Sequence, residues 1–123
     1  MRNTAKAIST ATSLAALLGA LSFAMPGVSN ADASAIAEGK TIAFDRKKGN
    51  CLACHQIEGG SLPGNIGPPL VAMKARFPDK NKLRAQIADS RTNNANTIMP
   101  PFGAHEILSS AEIDKVVEFV HSL

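Results

Sequence analysis

Cysteine is scarce in this sequence of 123 residues, which contains only Cys51 and Cys54. A structural zinc site needs a second pair of ligands at short spacing. No second cysteine pair exists, and His105 and His121 lie far from the first pair and are not spaced as a ligand pair. The sequence therefore excludes the zinc sites built from paired cysteines and histidines.

Long apolar runs are also missing. The longest, from about Leu14 to Ala24, is short and rich in small residues, so we do not expect a membrane anchor. Arg2 and Lys6 precede this run, and small residues follow it up to Ala31. This order is typical of a secretory signal peptide. We predict a signal peptide at residues 1–31, cleavage after Ala31, no lipidation, and export to the periplasm.

The charge balance is small. The chain has a formal net charge of +3, and removing Arg2 and Lys6 with the signal peptide leaves +1. The sequence pI of about 9.1 therefore misrepresents the exported domain, and nucleic-acid binding has no support. The remaining domain, residues 32–123, is small enough that an ordinary hydrophobic core would make it only marginally stable.

The two cysteines belong to the segment Cys51-Leu52-Ala53-Cys54-His55. This spacing is typical of c-type haem attachment, in which both thiols form thioethers with the porphyrin and the histidine ligates iron. A thioredoxin-like redox pair would need a preceding strand and a βαβ context, which the sequence does not offer. A disulfide across two residues is the other alternative, and it is rare. We predict one covalent haem c held by Cys51, Cys54 and His55.

Hydrophobic spacing favours helices at both ends of the domain. The first is predicted from about Ala35 to Lys47, and a short helix from Lys80 to Ser90. Ser109 and Glu112 form a Ser-x-x-Glu capping box that predicts a final helix reaching about Ser122. No convincing alternation of apolar and polar residues predicts a strand. The fold class is therefore predicted to be all-α, with a single small domain.

A sixth iron ligand must come from Met73, Met99, His105 or His121. We predict Met99, because Pro100 and Pro101 follow it and would hold its loop rigid. Met73 is interpreted as core packing, and both histidines as surface residues. Ligation by histidine and methionine fills the iron coordination sphere and raises the reduction potential, which indicates an electron carrier.

Two motifs make the chain resemble class I cytochromes c. Gly39-Lys40-Thr41-Ile42 is similar to their N-terminal helix, and Gly67-Pro68-Pro69-Leu70 to their Gly-Pro-x-Leu element. The resemblance implies that Gly39 crosses the C-terminal helix near Phe119. It also implies that the Pro68 carbonyl accepts a hydrogen bond from His55 and that Leu70 packs on the haem.

A narrower resemblance connects the whole exported domain with the SoxX family. It rests on four motifs in order: Gly49-Asn50, Gly64-Asn65-Ile66-Gly67-Pro68-Pro69-Leu70, Arg76-Phe77-Pro78 and Met99-Pro100-Pro101-Phe102-Gly103. SoxX is the monohaem subunit of the SoxAX complex, an L-cysteine S-thiosulfotransferase that conjugates thiosulfate to a cysteine of a sulfur carrier protein. The resemblance implies a non-catalytic electron-transfer subunit in a heterodimer. Its partners would be a SoxA-type haem subunit and a soluble redox acceptor such as another cytochrome c.

Two other functions stay open at this stage. A free monohaem cytochrome c shuttle would need no obligatory partner, and a haem-based gas sensor would need a displaceable sixth ligand. Two basic groups also bear on partners: one is Arg46, Lys47 and Lys48, and the other is Lys74, Arg76, Lys80, Lys82 and Arg84. Either group can steer an acidic partner, whereas a solvated face is the simpler interpretation of the second. Arg76 is expected to contact a partner or a haem propionate.

Overall fold

The computed structural model describes residues 30–123. The predicted signal peptide lies outside this range, except that its last two residues begin the first helix. The helices are α1 (Asn30–Phe44), α2 (Met73–Arg76), α3 (Lys80–Ala88) and α4 (Ser110–His121), with 3-10 turns at Cys51–Ala53 and Ser90–Thr92. Residues 30–123 contain no strand, which confirms the all-α prediction. None of the helices in this range is long and apolar enough to cross a membrane.

Helices α1 and α4 cross at Gly39. A β-carbon at this position would overlap the carbonyl of Lys115 and stand 2.9 Å from the β-carbon of Phe119. Only glycine permits such a close approach of two helix backbones. The crossing is extended by Phe44, whose ring packs edge-on against Phe119 with centroids 5.8 Å apart. The predicted crossing near Phe119 is therefore confirmed.

Helix α4 begins as the capping box predicts. The Ser109 hydroxyl accepts a hydrogen bond from the Glu112 N–H, and the Glu112 carboxylate accepts one from the Ser109 N–H at 2.9 Å. Leu108 and Ile113, on either side of the cap, are both buried. The cap and this apolar pair fix the angle at which the chain enters the helix.

Helix α1 differs most from its prediction. It begins at Asn30 and ends at Phe44, whereas the prediction ran from about Ala35 to Lys47. Beyond Phe44 the chain turns back, and the N–H of Gly49 donates to the carbonyl of Ile42 at 3.1 Å. The basic residues that follow α1 therefore lie in a turn and not in the last turn of the helix.

Two smaller differences concern the middle of the chain. Helix α3 ends at Ala88, because Asp89 is extended and caps the following 3-10 turn, where Ser90 is fully buried. The short helix α2 was not predicted, since four residues carry too little periodicity. Its first residue, Met73, is 2% exposed and packs in the core, as its sequence context indicates.

Ion pairs join α4 to the rest of the fold. Lys80 pairs with Glu118 at 2.6 Å, and Arg84 pairs with Asp114 at 2.6 Å. These contacts hold α3 against α4. Part of the second basic group therefore has an internal structural role, and it does not form one free surface for a partner.

Candidate haem site

A cavity of about 590 Å³ lies between the segment that carries the two cysteines, helix α3, helix α4 and the loop around position 99. All six residues that the sequence nominates for the site line it: Cys51, Cys54, His55, Pro68, Leu70 and Met99. The structure thus brings together residues separated by up to 48 positions in the chain. Their roles toward haem stay predictions.

The cysteines are presented by a tight turn. Asn50 adopts a left-handed backbone conformation with φ of 46°, and Cys51–Ala53 forms a 3-10 turn. The N–H of His55 then donates to the carbonyl of Cys51 at 2.9 Å. Both thiols are free, and burial raises the pKa of the Cys51 thiol to about 11. Neither sulfur is held in a disulfide, so both can form thioether bonds.

The imidazole of His55 is fixed by a single hydrogen bond. Its Nδ1 lies 2.7 Å from the carbonyl oxygen of Pro68. Because a carbonyl only accepts, Nδ1 must carry the proton, and Nε2 keeps its lone pair free for a metal. The loop that supplies this carbonyl is itself held, since the N–H of Gly67 donates to the Cys54 carbonyl at 2.8 Å. The histidine is thus set in the tautomer that an iron ligand needs.

Arg76 supports the same loop. Its guanidinium donates to the carbonyl of Pro69 at 2.7 Å and lies 3.4 Å from the sulfur of Met73. The Arg-Phe-Pro element suggested a contact with a partner or a propionate. The structure shows an internal contact, one residue away from the carbonyl that orients His55. Arg76 also lines the cavity.

Met99 is half-buried, and its backbone is held by two hydroxyl groups. The Ser90 hydroxyl donates to the Met99 carbonyl at 2.9 Å, and the Met99 N–H donates to the Thr97 hydroxyl at 3.2 Å. Ser90 is the one buried polar residue of the described core. Sequence reasoning missed it, because the contact between Ser90 and Met99 joins two separate segments and carries no local pattern.

The other candidate ligands are placed differently. Met73 also lines the cavity, but its side chain is 2% exposed in the core and its sulfur lies 3.4 Å from the Arg76 guanidinium. His105 is exposed and does not line the cavity. His121 was expected at the surface, but this is wrong: it is half-buried, and its Nε2 is buried without a hydrogen-bond partner in the described part of the chain. It belongs to the last turn of α4, outside the cavity lining.

The cavity and its donor atoms fit a haem. Its volume falls within the range of about 300–1,000 Å³ that is typical of cofactor sites. Its wall carries two free thiols, an imidazole nitrogen with a free lone pair and a thioether, which is the donor set of a c-type haem with histidine and methionine ligands. Within residues 30–123 no cluster of three histidine, cysteine or acidic side chains forms an alternative metal site.

Comparison with known proteins agrees with this geometry. The family model for cytochrome c matches residues 36–123. A chain in the crystal structure of SoxXA from P. pantotrophus is 29% identical with a TM-score of 0.63, over 70% of this chain and 79% of that one. An uncharacterized lipoprotein from Aquifex aeolicus (strain VF5) is 33% identical over 76 residues, 61% of this chain and 37% of the lipoprotein. The chain thus spans little more than a third of that relative.

The family match covers well over half of the chain, and it includes the haem-attachment motif, the cavity and helices α2, α3 and α4. A cytochrome c domain implies covalently bound haem c. The resemblance found in the sequence is consistent with the structural similarity to SoxXA. The chain therefore belongs to the cytochrome c family, within which it is SoxX-like.

Proposed function

We propose that this protein is the electron-transfer haem c subunit of a SoxAX-type L-cysteine S-thiosulfotransferase, exported to the periplasm. The observation that carries the proposal is the structural similarity to a chain of SoxXA, at 29% sequence identity and a TM-score of 0.63. The SoxX-like motifs in the sequence support it. The enzyme's catalytic residues would lie on the partner subunit, so this chain contributes electron transfer only.

The proposed reaction releases electrons that a second subunit must carry away. A thiol of the carrier protein and thiosulfate form a new sulfur–sulfur bond, and one proton and two electrons leave. A haem takes one electron at a time, so this subunit would act twice in each conjugation. Both cysteines of this chain would be used as thioethers, and no third thiol exists to hold a sulfur intermediate. The covalent chemistry therefore belongs to the partner.

Each residue of the site would have its own role toward the haem. Cys51 and Cys54 would anchor the haem, and His55 and Met99 would ligate its iron. The carbonyl of Pro68 keeps His55 in the tautomer whose Nε2 can bind metal, at a hydrogen-bond distance of 2.7 Å. Leu70 adds apolar surface to the cavity wall. When bound, haem c supplies reversible one-electron transfer between ferric and ferrous iron.

The rim of the cavity supports contact with a second protein. Three large apolar side chains line the cavity and are also exposed: Ile66 at 65%, Ile98 at 74% and Ile107 at 39%. Large apolar side chains grouped on a surface are a mark of interaction sites. Arg46 and Lys47 line the same cavity, and they have no ion-pair partner among residues 30–123. This surface is where the SoxA-type haem subunit would dock.

Native mass spectrometry of the protein purified gently from its source tests the proposal, because it counts haems and subunits together. We expect one haem on this chain and a stable complex with a larger haem protein that carries a reactive cysteine. A lone monohaem polypeptide under the same conditions would contradict the proposal and favour a free electron shuttle between respiratory complexes.

A further inference from the structure

The sulfur of Met99, like its backbone, has a protein partner. Gln86 of helix α3 is half-buried and lines the haem cavity, and its Nε2 lies 3.7 Å from the Met99 Sδ. This separation is within hydrogen-bonding range for sulfur, whose large radius lengthens the contact. Ser90 and Thr97 already hold the backbone of Met99. Three side chains therefore fix the position of this one thioether.

The orientation of the Gln86 amide follows from its second contact. The Nδ2 of Asn93 donates to the Oε1 of Gln86 at 2.7 Å. With the oxygen engaged there, the NH₂ group faces the sulfur, which can only accept a hydrogen bond. The opposite orientation would set the amide oxygen against a sulfur without a proton, so that two acceptors would meet. Asn93 thus determines which end of Gln86 points into the site.

We propose that Gln86, oriented by Asn93, is a positioning residue that donates a hydrogen bond to the Met99 sulfur and raises the reduction potential of the site. This inference rests on the proposed role of Met99 as an iron ligand. A thioether sulfur has two lone pairs, one for the metal and one that can accept the N–H. The hydrogen bond withdraws electron density from the sulfur and makes it a poorer donor to ferric iron, so the ferrous state gains in relative stability.

Helix α3 explains why Gln86 can hold this position. Leu83 and Ile87, on either side of it in sequence, are 2% and 5% exposed and anchor α3 in the core. Asp79 caps the start of the helix by accepting from the N–H of Asn81 at 2.9 Å. Gln86 therefore projects from a fixed backbone, and its amide needs only the contact with Asn93 to be oriented.

The test uses the holoprotein and three variants. Gln86→Leu removes the donor and keeps a bulky side chain that favours a helix, Asn93→Ala removes only the orienting contact, and Asn94→Ala is the neighbouring control. The side chain of Asn94 accepts a hydrogen bond from the N–H of Asn96 at 3.0 Å, whereas the hydrogen bond to Gln86 comes from Asn93. Two quantities are measured for each: the reduction midpoint, and the energy of the far-red absorption band of the methionine–ferric iron bond.

We expect Gln86→Leu to shift the ferrous–ferric equilibrium about threefold toward ferric, which lowers the midpoint by about 30 mV for one electron. Its far-red band should move while staying present. Asn93→Ala should shift the midpoint in the same direction by a smaller amount, and Asn94→Ala should leave it unchanged. If Gln86 only packed against its neighbours, the variants would differ in stability, but their midpoints would not fall in the order Gln86→Leu, Asn93→Ala, Asn94→Ala.

An unchanged midpoint in Gln86→Leu, with the far-red band intact, would overturn the inference and leave the ligand role of Met99 standing. If Gln86→Leu does not fold, Asn93→Ala decides, and a midpoint equal to that of Asn94→Ala would overturn the inference. Retention of the far-red band in Met99→Ala would overturn both the assignment of Met99 as a ligand and the inference on Gln86. None of these results depends on a partner subunit, so the native mass spectrum tests the proposed function separately.

Discussion

Gly67 lies directly against the imidazole ring of His55. A β-carbon at position 67 would stand 2.5 Å from Cε1 and 2.6 Å from Nδ1 of that ring, closer than real β-carbons approach. The glycine also donates its N–H to the Cys54 carbonyl at 2.8 Å, so its backbone is held in place. The ring would therefore have to move if the glycine gained a side chain.

Gly67→Ala is expected to displace His55 from the Pro68 carbonyl and to weaken its bond to iron. The fraction of purified protein with a six-coordinate low-spin absorption spectrum should fall. Gly103→Ala is the control, because its added methyl group would meet Ile113 at 3.1 Å and Ala88 at 3.3 Å, both away from the histidine. Equal spectra for the two variants would contradict the positioning role of Gly67.

Met99→Ala should change the iron ligation, whereas Met73→Ala should change only the stability of the fold. Met99→Ala is expected to lose the far-red band and to lower the reduction midpoint, because a thioether ligand that favours ferrous iron is removed. Met73 is 2% exposed, so Met73→Ala should cost about 2–5 kcal/mol of stability and keep the band. Absorption spectra report the far-red band, redox titration reports the midpoint, and chemical denaturation reports the stability. Loss of the band in Met73→Ala alone would reverse the ligand assignment.

Ser90→Ala should reduce stability by about 1 kcal/mol, because a buried hydrogen bond to the Met99 carbonyl is lost. It should also lower the temperature at which the far-red band of the ferric protein disappears. Ser122→Ala is the matched control, since it removes a serine-to-carbonyl hydrogen bond from an exposed residue at the end of α4. A similar loss of the band in both variants would show that Ser90 has no specific effect on Met99.

The acid limb of the stability profile should depend on Glu112. Hydrogen bonds from Lys48 and from Ser109 lower the pKa of Glu112 from 4.5 to about 2. A carboxyl group whose folded pKa is depressed stabilises the fold above its unfolded pKa. This contribution is therefore present above pH about 4.5 and is lost as the pH falls toward about 2.

Glu112→Gln should lose that contribution, so its thermal unfolding midpoint should change less than that of the wild type between pH 4.5 and 2. Glu58→Gln, at an exposed position in the loop after the haem motif, is the control and should follow the wild-type curve. Parallel curves for Glu112→Gln and wild type would show that the contact between Lys48 and Glu112 does not form in solution.

Partner binding should depend on the apolar rim of the cavity. Ile66→Ser combined with Ile98→Ser is expected to weaken binding to the haem-carrying partner by about tenfold or more, because both side chains would be buried in the complex. Val71→Ser is the control, since Val71 is 55% exposed but does not line the cavity. Titration of the holoprotein with the purified partner measures the effect. Equal affinity for both variants would place the interface elsewhere.

Local sequence signals predicted the parts of the structure that depend on near neighbours. The Ser109–Glu112 capping box is such a short-range signal, and it is present. The Gly39 crossing joins two distant helices; the resemblance to class I cytochromes c implied it, and it is present too. The predicted end of α1 was wrong, because the basic residues after Phe44 resemble a helix C-terminus. The chain instead turns back after Phe44, and Gly49 donates its N–H to the Ile42 carbonyl. The contacts of Gln86 and Ser90 with Met99 were not predicted, since contacts between separate segments of the chain carry no local pattern.

The crossing of α1 and α4 at Gly39 also bears on the order of events during maturation. Synthesis delivers a chain from its N-terminus, so α1 and the cysteine segment are made before Lys115 and Phe119. The crossing cannot form until then. Cys51 packs against a core that includes residues of α4, and burial there raises the pKa of its thiol. That burial therefore has to wait until the last helix has been made, so the C-terminal end of the chain decides when the thiol is enclosed.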